Sequence, residues 1–208
     1  VVDVMSRALT VCLVLALGVT AGCVKEPSER PSVPASTAPT TTSTSLVVPT
    51  VEKPISLGDL WKRPCFLIPV WALEDFGIDQ EIKGKPFQSG PGHGCAWSAP
   101  GQGDETTGFE VVAYPDFDIL RDTYENASKR AVMFEPTGTR HFPAAYLVEN
   151  DTSCTYVIAF SNTQGVKVTR TQQRPYTHEG PKERCEHPGQ AAFEIESVIR
   201  HPGAYPTS

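Results

Sequence analysis

Six cysteines are the residues of this sequence best suited to chemistry: Cys12, Cys23, Cys65, Cys95, Cys154 and Cys185. A cysteine nucleophile needs a free, accessible thiolate. A structural zinc site needs four ligands at familiar spacings. An exported domain spends an even number of cysteines on disulfides. Cys65, Cys95, Cys154 and Cys185 suit the last use. Four cysteines allow three connectivities, and composition does not decide among them. Pairing of Cys65 with Cys95 and of Cys154 with Cys185 is favoured, because each bond then closes a loop of about thirty residues between adjacent elements.

The remaining chemistry-bearing residues have plainer readings. His178, Cys185 and His187, with Glu179 and Glu183 nearby, lack the spacing of a zinc finger or ribbon, and read as a surface loop whose cysteine is disulfide-bonded. Gly90-Pro-Gly-His-Gly94 is rich in glycine but lacks the Gly-Lys-Ser/Thr ending of a phosphate loop, and reads as a connection. His93 has no serine on a Gly-x-Ser-x-Gly elbow to serve, and His141 reads as a solvated strand entry. Asp116, Asp118, Glu194 and Glu196 are accounted for as helix caps and solvated helix faces. A carboxylate pair of the glycosidase type could still assemble from distant positions. Trp61, Trp71 and Trp97 read as core or rim packing rather than a sugar platform. No metal, cofactor or catalytic residue is therefore expected.

These residues must be positioned by a domain, and the chain divides itself by composition. Ala8–Ala21 is an apolar run of signal-peptide length, preceded by Arg7, and too short to span a bilayer comfortably. It ends Val19-Thr-Ala-Gly-Cys23, which resembles a bacterial lipobox. That resemblance implies cleavage before Cys23, acylation of its sulfur, and membrane attachment through more than one chain. Thr20 stands where the usual pattern has Leu. Residues 23–54 then form a tether of Pro, Ser and Thr without an aromatic residue. Such a segment cannot bury enough apolar area to offset its ordering entropy, so residues before about 55 are expected to add nothing to a core. Residues 55–203 form the folded domain, and 204–208 a tail.

Within the domain, Pro69 is expected to open a helix that buries Val70, Trp71, Leu73 and Phe76 and stops at Gly77. Strands are expected at 95–98, 109–114, 144–148, 155–160 and 165–171, the last alternating with period two. Asp116 or Asp118 can cap a helix running to about Lys129. A final helix over 190–199 carries Ala191, Phe193, Ile195, Val198 and Ile199, and Pro202 and Gly203 forbid its continuation. Consecutive strands joined by short turns give an α+β fold with an antiparallel sheet covered by helices.

From Pro64 to about Pro202 the chain resembles a large family of secreted lipoproteins from actinobacteria, a domain of unknown function with two cysteine pairs. The carrying features are Pro64-Cys65 opening a helix that ends near Phe76-Gly77, then Gly94-Cys-Ala-Trp97, then Cys154 at a strand start and Cys185 before the last helix. The resemblance implies a PsbP-like α-β-α sandwich and brings no catalytic residue with it.

The formal net charge of −6 is spread without a basic cluster, which argues against nucleic acid as a partner and against attachment to anionic lipid by charge alone. The expected partners are the membrane, through the lipid at Cys23, and an envelope protein or small envelope ligand. The expectation is a non-enzymatic binding or accessory module on the extracytoplasmic face of the cell membrane. The alternative is a hydrolase of cell-wall glycan or lipid whose site assembles only on folding.

Overall fold

The computed structural model describes residues 46–100, 106–172 and 185–204. Cys23 and the leader, most of the tether, His178, Glu179, Glu183 and the tail from 205 lie outside the described residues. Among the described residues, seven strands form one fully antiparallel sheet: β1 (Lys85–Ser89), β2 (Gly92–Pro100), β3 (Thr106–Tyr114), β4 (Met133–Gly138), β5 (Pro143–Asn150), β6 (Ser153–Ala159) and β7 (Gly165–Gln172). Their spatial order is β1-β2-β3-β7-β6-β5-β4. Two meanders thus meet at the β3–β7 pair, where Val111 lies opposite Val168. Three α-helices among the described residues accompany them, α1 (Val70–Leu73), α2 (Ile119–Glu125) and α3 (Glu186–Arg200), with short 3-10 turns between.

Pairing register assigns each side chain to a face, because partners directly opposite point the same way. Trp97, Phe109, Val111, Val168, Tyr156 and Cys154 share one face. It is covered by α3 and by the segment leading into β1, where Phe76 stacks on Phe109 at 5.2 Å. The opposite face carries Val157, Leu147 and Phe134, and α2 lies there. Tyr124 meets Phe134 edge-on at 4.9 Å. Gly165 supplies the room for that helix, since a Cβ on it would stand 2.6 Å from Ile119 Cγ2. The layer order is helix, sheet, helix.

Local chemistry explains the boundaries. Asp118 caps α2, accepting from the Arg121 amide at 2.9 Å, which satisfies one of the helix's orphan donors. Gly77 closes the 3-10 turn after α1 with φ of 76°, a left-handed value open to glycine. In α3 the buried residues Ala191, Ala192, Ile195, Val198 and Ile199 form one apolar stripe.

Four expectations need correction. Gly90–Gly94 is not a loop: only Gly90 and Pro91 turn, and β2 starts at Gly92. Its glycines admit neighbours, as a Cβ on Gly92 would meet Val112 and Tyr114, and one on Gly94 would meet Phe87. Val70 and Trp71 are about half exposed, and the buried side of that turn is Ala72, Leu73 and Phe76. Phe193 is 59% exposed on the outer side of α3. The tether boundary also moves: Val51 is buried and Val48 packs against the core. The Val51 amide donates to the Asn162 side-chain Oδ1 at 3.1 Å, a tertiary bond that the composition of that stretch did not suggest.

Candidate functional site

The segment from Leu60 to Gly84 is built from short turns, and where it crosses the sheet it leaves an apolar groove of about 490 Å³. The floor includes Trp97 of β2 and Cys65; the walls include Leu60, Phe66, Ile68, Trp71, Leu73, Ile82 and, from the end of α3, Val198 and Pro202. Trp97 is buried, whereas Phe66, Val70 and Trp71 stay substantially exposed at the rim. Water leaves such surface readily, and exposed apolar residues gathered around a concavity mark a site of contact.

The groove owes its position to covalent and steric constraint. Cys65 is bonded to Cys95, with Cα atoms 5.0 Å apart, which pins the irregular segment to β2. Gly84 passes close over that disulfide and the Trp97 indole, and a Cβ there would overlap Cys95 Sγ and stand 2.7 Å from Trp97 Cε2. Only glycine lets the chain approach so near. Cys154 is bonded to Cys185, Cα atoms 5.3 Å apart, which pins the start of α3 to β6. The four domain cysteines are therefore structural, and none is a free thiol.

Polar groups in the groove are few. Gln80 and Lys83 line it, and among the described residues no Asp or Glu does. Two cations stand on aromatic rings beside it: Arg63 lies 5.4 Å from the Phe66 ring centre and Lys62 5.4 Å from that of Trp61. Lys62 is also paired with Asp59 at 2.7 Å, and the Lys62 ammonium, by hydrogen bond and charge, holds the Asp59 carboxyl below its usual range. His93 packs on Trp61, ring centres 4.8 Å apart and planes tilted by 52°, a packing contact rather than a base beside a nucleophile.

A second pocket, of about 440 Å³, lies against the outer side of α3 and is lined by Arg140, His141, Phe193, Glu196, Ser197, Arg200 and His201. It gathers Ser197 with His141 and His201. Glu196 corrects an expectation here: it is 5% exposed rather than solvated, with Oε1 on Arg200 Nη1 at 3.3 Å. His187, expected in a surface loop, instead stands near Phe76 at 6.3 Å between ring centres. Among the described residues no group of three or more His, Cys, Asp or Glu could hold a metal ion, and no helix is long and apolar enough to cross a membrane.

The structure thus defines a disulfide-stapled α+β domain with one open apolar groove between its N-terminal segment and the end of its last helix. Residues 18–197 match the model of a family described as a protein of unknown function, DUF3558, and the chain belongs to that family. No curated protein and no solved structure matches the chain.

Proposed function

We propose that the domain is a non-enzymatic binding module whose ligand seats in the apolar groove, and that a lipid on Cys23 holds it at the extracytoplasmic face of the cell membrane. The groove carries this reading. Its lining is dominated by aromatic and aliphatic side chains with one amide and one ammonium, the composition of a pocket that binds by desolvation and orients by a few polar contacts. Its volume falls within the roughly 300–1,000 Å³ typical of small-molecule sites. The anchor reading rests on the apolar leader ending at Cys23 and on likeness to secreted actinobacterial lipoproteins.

The test is binding of N-phenyl-1-naphthylamine, an uncharged dye that fluoresces in apolar surroundings, to the full chain. Wild type is expected to enhance its emission saturably. Trp71→Ala, which removes a half-exposed rim residue, is expected to weaken the dye about tenfold while the chain stays folded. Equal binding by both proteins would show that the groove is not the site. For the anchor, mass spectrometry of the membrane fraction is expected to find an acylated N-terminus at Cys23, and Cys23→Ala to release the protein. An unmodified N-terminus elsewhere would end that part of the reading.

The alternative, a hydrolase, draws on Ser197, His141 and His201 around the second pocket. It ranks lower because Ser197 and His201 sit at the C-terminal end of α3, whose carbonyls disfavour a developing oxyanion. Glu196 is also already engaged by Arg200. Ester hydrolysis by wild type that disappears in Ser197→Ala would reverse the ranking.

A further inference from the structure

The groove's charge says more than its shape. The chain as a whole carries a formal net charge of −6, yet among the described residues no carboxylate lines the groove and Lys83 brings its only full charge. Among the described residues no Asp or Glu pairs with Lys83, while Lys62 beside the groove is held by Asp59. Arg63 adds a second cation over the Phe66 ring in the groove wall. Asp79 and Glu81 precede Lys83 on the same loop but lie outside the lining, where Asp79 accepts the Glu81 amide at 2.8 Å. An apolar trough with an unpaired ammonium at its edge suits a molecule with an apolar body and an anionic end.

Resting on the binding-module reading, we propose that the groove takes a single-chain anionic amphiphile, a fatty carboxylate, with its acyl chain among Phe66, Trp71, Ile82 and Trp97 and its carboxylate at Lys83. The chain supplies affinity through burial of its methylene groups against the indoles. The carboxylate fixes direction: reversed, it would have to shed water among mostly apolar walls and leave the Lys83 ammonium unpaired. Lys83 is exposed, so its attraction is partly screened, and the head group contributes selectivity rather than most of the binding.

The experiment is displacement of N-phenyl-1-naphthylamine from the full chain by oleate and by oleyl alcohol, both kept below aggregation, in low salt. Oleate is expected to displace the dye at about one-fifth the concentration that oleyl alcohol needs. Lys83→Gln is expected to erase that difference, read as the ratio of the two competitors within each protein, and Trp71→Ala to weaken both competitors. Dye binding with equal displacement by both competitors in wild type would overturn the fatty-carboxylate proposal and leave the groove reading standing. A preference for oleate that survives Lys83→Gln would overturn the placement of the head group. Absence of any dye binding to wild type would overturn both readings together.

Discussion

The segment from Val48 to Gly84 and helix α3 cover the same face of one sheet, and each is tied to it by one disulfide. The loops closed are nearly equal, with sequence separations of 30 and 31, so the chain-entropy term assigns each bond a similar roughly 3–4 kcal/mol. The backbones differ. Helix α3 runs regularly over fifteen residues, closing its amides beyond the first turn, and presents one apolar stripe. The segment closes its amides only within isolated short turns, and its lead-in borrows partners from the turn at Phe160–Gln164: the Ile55 amide donates to the Phe160 carbonyl at 2.9 Å and the Leu57 amide to Gln164 Oε1 at 3.0 Å. A regular helix packs closely and leaves little room between itself and the sheet. Short turns, each closing only its own few bonds, leave the gap that becomes the groove. Irregularity here makes the site, and the disulfide holds it in shape.

The largest expected effect separates the two bonds by what each protects. Cys65→Ser is expected to cost roughly 3–4 kcal/mol in urea unfolding, to make Cys95 alkylatable, and to abolish dye binding in the groove. Cys154→Ser is expected to cost a similar amount, because its loop is as long, but to keep dye binding in the chains that remain folded. Loss of dye binding from both variants at equal folded fraction would collapse the distinction between the two covers.

A smaller contrast lies in two glycines, one under each cover. Gly84→Val would drive a side chain into Cys95 Sγ and the Trp97 indole, neither free to retreat, and is expected to cost about 1–3 kcal/mol by overpacking. Gly189→Ala places its Cβ 2.7 Å from the Tyr146 hydroxyl oxygen, the far end of a side chain, and recovers up to about 1 kcal/mol of helix propensity. These terms oppose, so a change within about 1 kcal/mol of zero is expected from thermal unfolding. A Gly84 variant as stable as wild type would mean that the segment is free to lift off the sheet.

The same contrast decides what could be read from the sequence. Strands β3, β6 and β7 announce themselves by β-branched alternation, and α3 by its stripe, because regular elements repeat. The helix nevertheless begins at Glu186, earlier than the Pro188-Gly189 pair suggests, since proline in a first turn loses only an amide that had no partner anyway. Strands β1 and β4 are silent: Lys85-Pro-Phe-Gln-Ser89 and Met133-Phe-Glu-Pro-Thr-Gly138 carry prolines that only an edge strand tolerates, and both lie at the sheet's edges. The disulfide frame was legible from spacing. The groove was not, because its lining comes from four separate stretches, and Trp71 looks like core until α1 proves too short to bury both sides. Glu196 and Phe193 exchanged their expected environments for a related reason: a stripe fixes a helix's face only to within one residue on either side.

The smallest effect lies where the two covers meet. Glu194 of α3 has its carboxyl raised above the ordinary value of 4.5, by burial first and by the negative charge of Asp75 second. A raised carboxyl inverts the usual carboxylate dependence. Below pH 4.5 the group is protonated in folded and unfolded chains alike. As pH rises past that value the unfolded chain gives up the proton first, so the folded chain binds more protons and stability falls until the folded group has ionised too. Glu194→Gln removes the charge from the folded chain, so its unfolding midpoint relative to wild type is expected to climb between about pH 4 and the upper end of that window and then level. Asp75→Asn is expected to recover part of the gain, because it removes the smaller cause and leaves burial in place. Both changes are expected to stay under about 1 kcal/mol, since the site is open enough to water for screening to matter. A midpoint difference that stays flat across that range would show that Glu194 does not resist ionisation, and that the junction of the covers carries no charge strain.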